Sequence, residues 1–258
     1  MSLLTAKKAL VTGGTKGIGK AIADKLQSMG ATVIITARTA PENLLENQYF
    51  FASDVSQASS ISDLAEQLAT KFGTIDIVVN NAGANLNTFK SFGELSDEDW
   101  YNELNLNLMS AIRINKALLP AMIAQKEGVI INVSTGAAKM PIGAMTMSYS
   151  TAKAALNAYS KTLSKEVGMH NVRVNIVSPG MVNTSLMQEA LQSMAVQNNV
   201  SIDETTKTVM QQVGGVPLNR LAEPEEVANV VAFLATSDAK YITGVNYLVD
   251  GGAFPAVI

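Results

Sequence analysis

The stretch Ser148-Tyr149-Ser150-Thr151-Ala152-Lys153 sets a phenol and an ammonium four residues apart. On a helix that spacing puts both side chains on one face. A Tyr beside a cation is a candidate proton donor. Its ordinary pKa near ~10 is too high for easy ionisation at neutral pH, and an adjacent positive charge favours the phenolate. Of the six Tyr, only Tyr149 has a Lys four positions on. A pair of this kind is also a common feature of helical surfaces, so its meaning depends on what the chain builds around it.

A second chemical feature lies near the N-terminus, where an apolar run leads into Thr12-Gly13-Gly14-Thr15-Lys16-Gly17-Ile18-Gly19. Glycine between a strand and a helix permits a tight turn and a close approach of backbone to a diphosphate. The helix then presents free N–H groups to the anion. The spacing is G-x-x-x-G-x-G, through Gly13, Gly17 and Gly19, rather than the commoner G-x-G-x-x-G. A glycine turn also occurs as a plain βα connection, so its place after the first strand carries the reading. The second apolar run ends Ile35-Thr36-Ala37-Arg38. A carboxylate there would hold the ribose 2′-hydroxyl of NAD, whereas an Arg accommodates the phosphate of NADP. Arg38, with Lys16 in the glycine turn, points to NADP(H). The other reading of Arg38 is a solvated loop charge.

The totals narrow the classes. Of 258 residues, 47% are hydrophobic and 16% charged, enough to bury a large core. A net charge of -3 and a pI near 5.3 argue against a nucleic-acid binder. With no Cys there is no disulfide, thiolate nucleophile or Cys-based metal site. His170 is the single histidine and falls in a helix-to-strand turn, which argues against a Ser-His-Asp triad or a His-rich metal site. No apolar run approaches the ~20 residues of a membrane span, and glycine interrupts the N-terminal stretch too early for a signal peptide. The expectation is a soluble, cytoplasmic protein that binds neither membrane nor metal.

Elements to position these groups are readable from periodicity. Apolar runs at 9–14, 32–36, 49–53, 75–80, 128–134, 173–178 and 245–250 read as strands, several of them apolar on both faces. Amphipathic stretches at 18–29, 59–71, 97–124, 148–167 and 224–236 read as helices. Ser96-Asp97-Glu98-Asp99 and Glu223-Pro224-Glu225-Glu226 read as capped starts. The alternation predicts an α/β, Rossmann-type, doubly wound parallel sheet of seven strands with helices on both faces, one domain over 1–258. Segment 184–215 departs from the rhythm. It is polar and amide-rich, with Met187, Met194 and Met210.

Taken in order, these motifs resemble the short-chain dehydrogenase/reductases over nearly the whole chain. The resemblance rests on residues 12–19, Asp54-Val55, Asn80-Asn81-Ala82-Gly83 and Asn107 seven after Trp100. It continues through Tyr149/Lys153, Pro179-Gly180-Met181-Val182-Asn183-Thr184 and Val249-Asp250-Gly251-Gly252. It implies that Gly13, Gly17 and Gly19, with Thr15, Lys16 and Ile18, bed the diphosphate. Asp54, with Val55, would meet the adenine amino group, and Asn81, Ala82 and Gly83 the adenosine ribose side. Pro179, Gly180, Val182 and Thr184 would lie along the nicotinamide, Thr184 holding its carboxamide. Tyr149 would give a proton to a substrate carbonyl as hydride arrives. Lys153 would lower its pKa and bind the nicotinamide ribose, and Asn107 would anchor a water on a proton path. Asp54 as a helix cap and Pro179-Gly180 as a plain turn are the simpler alternatives.

One position departs from the family pattern, which places a Ser three after the Asn of strand five and thirteen before the Tyr. Counting from Asn132 gives Thr135, whereas counting back from Tyr149 gives Gly136. Thr135 is preferred, with the same donor and acceptor capacity as Ser, and Ser134 is the alternative. Adjacent residues on a pleated strand point to opposite sides, so only one of the two reaches a pocket.

The chain looks most like the 3-oxoacyl-[acyl-carrier-protein] reductase branch. Its entry to strand five, Gln125-Lys126-Glu127-Gly128-Val129, lacks the paired Arg that would meet an acidic carrier. Segment 184–215 is expected to be a lid. Its Met residues, with Met140, Met145 and Met147, would make an adaptable apolar wall. The expected activity is reversible NADPH-dependent reduction of a neutral, partly apolar ketone. The alternatives are an NAD-linked sugar or polyol dehydrogenase and a non-catalytic cofactor-binding sensor. A homotetramer built on helices 97–124 and 148–167 is the assembly that the resemblance implies.

Overall fold

Seven parallel strands lie in the order β3-β2-β1-β4-β5-β6-β7. The structure is a computed structural model that describes residues 3–88 and 90–256; positions 1, 2, 89, 257 and 258 of the expected domain lie outside the described residues. The strands are β1 (Lys8–Thr12), β2 (Thr32–Ala37), β3 (Gln48–Ala52), β4 (Ile77–Asn80), β5 (Gly128–Val133), β6 (Val172–Pro179) and β7 (Asn246–Val249). Helices α1 (Gly17–Ser28) and α8 (Pro224–Ala235) cover one face; α2 (Ala58–Phe72), α4 (Ser110–Gln125) and α5 (Met147–Val167) cover the other.

The two-residue period of a strand divides the core cleanly. Ala9, Val11, Val33, Ile35, Val79 and Ile131 face α1 and α8, while Leu10, Ile34, Val78 and Ile130 face α2 and α4. Burial on both faces is why these strands read as continuous apolar runs. Both starts expected to be capped are so, each as a capping box: Ser96 with Asp99 at the start of α3 (Asp97–Leu104), and Glu223 with Glu226 at α8.

Two features depart from the sequence reading. The expected helix 97–124 is α3 followed by one π-helical segment, Asn105–Met109, before α4. Segment 184–215, to which the sequence reading assigns no element, is mostly helical, with α6 (Ser185–Asn198) and α7 (Ile202–Gln212) capped by the hydroxyls of Thr184 and Ser201. Their few buried residues, among them Leu191, Ala195, Val209 and Met210, explain the weak apolar signal. Among the described residues no helix is long and apolar enough to cross a membrane.

Candidate active site at the sheet switch point

Strand order reverses between β1 and β4, and a parallel sheet opens a crevice at the carboxyl ends of its strands there. The glycine turn and the Asn81–Gly83 loop form its two lips. Gly13 and Gly17 lie at φ +65 and +52, the left-handed region where only glycine is unstrained. A Cβ on Gly19 would overlap the Gly13 carbonyl oxygen, so α1 can start this close to the turn only with glycine there. The far side of the cradle is Thr184, whose Cγ2 would lie 3.2 Å from a Cβ on Gly17. The turn thus leaves a bare backbone hollow at a helix N-terminus, the form that accepts a diphosphate.

Thr12 ties the lips together. Its hydroxyl accepts from Asn81 N and Ala82 N, both at 3.0 Å. The Asn81 side-chain amide donates to the carbonyls of Thr12 (3.0 Å) and Gly13 (3.3 Å). The Asn81 amide thus braces the turn beside which the resemblance expects a ribose. Gly83 carries the other close approach: a Cβ there would sit 2.7 Å from Asn107 Oδ1 and 3.0 Å from Lys153 Nζ. Its lack of a side chain lets Asn107 and Lys153 approach the loop after β4.

Just after β3, Asp54 accepts from Ser56 N (3.0 Å) and Ser56 Oγ (2.7 Å), both on Oδ1. The Ser56 hydroxyl, then its N–H, and more weakly the positive charge of Arg38 hold the Asp54 carboxyl below its ordinary value. It is not the α2 cap residue, which is Gln57. Arg38 and Lys16 are both exposed. Val55 and Val182 are buried in the core, and Ile18 packs on it. Any contact of Val55 or Val182 with a ligand is thus confined to backbone or the edge of the side chain. Thr15 is partly buried in the turn. Pro179 ends β6 opposite Val249, and Gly180 lies so close to Asp250 that a Cβ would come within 2.9 Å of its Cα.

The catalytic candidates converge beside β5. Lys153 is 3% exposed and donates to Val133 O at 2.9 Å. Its ammonium lies 6.0 Å from the centre of the Tyr149 ring. Thr135 hydrogen-bonds the Tyr149 phenol and accepts from Ala137 N at 3.2 Å. Ser134 is buried, with no hydrogen-bond partner for its hydroxyl. Of the two alternatives, the structure brings Thr135 to Tyr149.

Asn107 lies on the π segment, where the widened turn aims its amide at the loop after β4. It donates to Ala84 O (2.8 Å) and accepts from Ala84 N (3.2 Å).

Charges in this corner differ from the simple expectation of a depressed Tyr. Burial, then the Glu103 carboxylate, pushes the Tyr149 phenol up to about 12; the Thr135 hydrogen bond pulls back. Burial pulls Lys153 down to about 8, and the same Glu103 opposes this. Lys153 donates to a backbone carbonyl with its ammonium 6.0 Å from the Tyr149 ring, and burial rather than its charge sets the direction of the Tyr149 shift.

Sequence reasoning missed Glu103, which is wholly buried four residues before Asn107. A carboxylate on the inner face of a helix, one turn from a buried amide, was the available signal. Thr12, Asn87 and Ser148 carry supporting bonds with no signal beyond residue type.

A parallel α/β sheet with this cradle and an adjacent Tyr, Lys and Thr cluster defines a dinucleotide-dependent oxidoreductase. A family model described as "Enoyl-(Acyl carrier protein) reductase" matches residues 13–253. The chain is 36% identical over 257 residues to the 3-oxoacyl-[acyl-carrier-protein] reductase FabG of Haemophilus influenzae, covering 97% of this chain and 99% of the relative. The Escherichia coli FabG is 36% identical over 254 residues, 96% and 97% of the two chains. Among solved structures, L-sorbose reductase of Gluconobacter frateurii, complexed with NADPH and L-sorbose, superposes with a TM-score of 0.92 at 32% identity and full coverage of both chains. This chain belongs to the short-chain dehydrogenase/reductase family and is an oxidoreductase.

Proposed function

We propose that the protein is an NADPH-dependent ketone reductase, reversible toward oxidation of the secondary alcohol. The observation that carries this reading is the convergence of the Thr135 hydroxyl, the Tyr149 phenol and the Lys153 ammonium where Gly83 joins them to the cofactor loop. The glycine hollow fits a diphosphate, with Thr184 closing it and Arg38 and Lys16 exposed where a 2′-phosphate would lie. Bound there, NADPH supplies the hydride. Thr135 orients the substrate oxygen, and Tyr149 donates the proton that this oxygen takes up as it gains charge. Lys153, as an ammonium, stabilises the phenolate left behind. A phenol lifted to about 12 stays protonated across the working range, which suits a donor in the reduction direction. Asn81 contributes by fixing the lips of the cleft. The full-length likeness to an L-sorbose reductase complexed with NADPH supports the cofactor choice.

For substrate, the favoured class is a neutral, partly apolar ketone. Met140, Met145 and Met147 are partly buried and would supply one wall, with α6 and α7 as the lid; just after α7, a Cβ placed on Gly214 would lie 3.6 Å from Met140 Cε. A polyhydroxylated ketone is the second reading, favoured by the full-length match to an L-sorbose reductase. The assembly is proposed to be a cytoplasmic homotetramer.

Turnover assays with NADPH and NADH test the reading against a 3-oxoacyl thioester, L-sorbose and an uncharged aliphatic ketone. The expected result is at least ~10-fold preference for NADPH, since one or two charge-assisted hydrogen bonds to the extra phosphate are each worth ~1.5–3 kcal/mol. Preference for NADH overturns the roles of Arg38 and Lys16. Oxidation of neither cofactor with any ketone overturns the reductase.

A further inference from the structure

Glu103 is the only fully buried carboxylate among the described residues, at 0% exposure. Four donors surround it. Oε1 accepts from Asn107 Nδ2 at 2.8 Å. Oε2 accepts from Asn87 Nδ2 (3.0 Å), Ser148 Oγ (3.1 Å) and Leu86 N (3.2 Å). The three N–H groups can only donate, so the ionised carboxylate is the form that satisfies them. An apolar residue of similar size would leave these donors buried without acceptors, a costly arrangement.

The bonds join four elements: α3, the π segment, the loop after β4 and the first turn of α5. Ser148 immediately precedes Tyr149, and Asn107 holds the loop that brings Gly83 to Lys153. The charged and titratable groups facing Glu103 are Lys153 and Tyr149 from α5. Lys90, in the loop after β4, is held by Asp99 at 2.8 Å.

We propose that Glu103 is a positioning residue of the reductase: its carboxylate clamps Asn107 and the start of the Tyr149 helix, and its buried negative charge keeps Lys153 an ammonium. The inference rests on the function proposed above. Two opposed effects act on the carboxyl itself. Burial pushes it up, and the Ser148, Leu86 and Asn87 bonds, with Lys153, pull it back. In turn its charge favours protonated Lys153 and protonated Tyr149, the forms needed to deliver a proton.

Glu103→Gln keeps the volume and removes the charge. The expected result is an alkaline limb of kcat/KM for reduction that moves to lower pH by about one unit. At pH 8 kcat should fall while KM for the ketone changes little. A purely structural role instead lowers activity equally at every pH and leaves the limb in place, which overturns the inference. If E103Q does not fold, the double variant Asn87→Ala/Ser148→Ala removes two donors and leaves the carboxylate in place. Its pKa then rises, so the acid limb should move to higher pH; an unmoved acid limb overturns the inference. Wild-type protein that oxidises no NADPH defeats the parent reading; wild-type turnover with unmoved limbs in the variants defeats only the role of Glu103.

Discussion

The two ends of the cleft are built by opposite means. At the dinucleotide end the protein leaves side chains out: Gly13, Gly17 and Gly19 let backbone, turn and helix come within contact of one another. At the catalytic corner it does the reverse, filling the space with Lys153, Glu103, Asn107 and Ser148, each at or below 3% exposure. The first end should be sensitive to added volume and indifferent to pH. The second should tolerate isosteric exchange in shape but respond sharply to charge and protonation.

The largest effect tests the corner. Tyr149→Phe removes one oxygen and almost no volume. Turnover is expected to fall by ~10²–10⁴-fold, the range a general acid contributes. NADPH affinity, followed by the quenching of protein fluorescence, should stay within about twofold. Retained turnover would place proton donation elsewhere; lost affinity would mean that the two ends are not separable in this way.

Gly19→Ala attacks the other end with one methyl group. Its Cβ would meet the Gly13 carbonyl, which is backbone and cannot rotate aside. The turn or α1 must shift, at a cost of ~1–3 kcal/mol, so NADPH binding should weaken by about 5–150-fold. The pH profile of the remaining activity should keep its shape. A displaced limb in this variant would erase the proposed contrast.

The same contrast explains what the sequence made legible. Glycines at fixed spacing after a strand announce a backbone-built site, because few other residues fit φ values near +50 to +65. The strands showed through their apolar runs, since burial on both faces leaves little room for polar residues. The corner was legible only in part. Tyr149 and Lys153 stand one helical turn apart, yet Glu103 reaches them through Asn107 and Ser148, from another helix. The π segment at Asn105–Met109 was not legible either: its residues read as ordinary helix, and only the bonds of Asn107 to Glu103 and to the loop at Ala84 show why the register widens there. Helices α6 and α7 were hidden because they bury little, although the caps at Thr184 and Ser201 were present.

A smaller effect, on stability, sharpens the comparison further. Burial holds Lys153 near 8 in the folded protein against an ordinary 10.5. Between those values the unfolded chain binds the proton that the folded one releases, so stability rises with pH across this window. Below it, the buried ammonium costs up to about 3 kcal/mol. Lys153→Met removes that cost and loses the charge-assisted bond to Val133 O, worth ~1.5–3 kcal/mol. The inactive variant should therefore be more stable by up to about 1.5 kcal/mol at pH 7, with a Tm raised by up to about 6 °C. The gain should shrink as the pH approaches 10, where the wild-type amine is neutral in the folded state. Scanning calorimetry of both proteins at pH 7 and pH 10 reads the difference directly. A variant less stable than wild type at pH 7 would mean that hydrogen bonding, rather than the desolvated charge, dominates this corner, and that its polar groups hold the fold together as well as the chemistry.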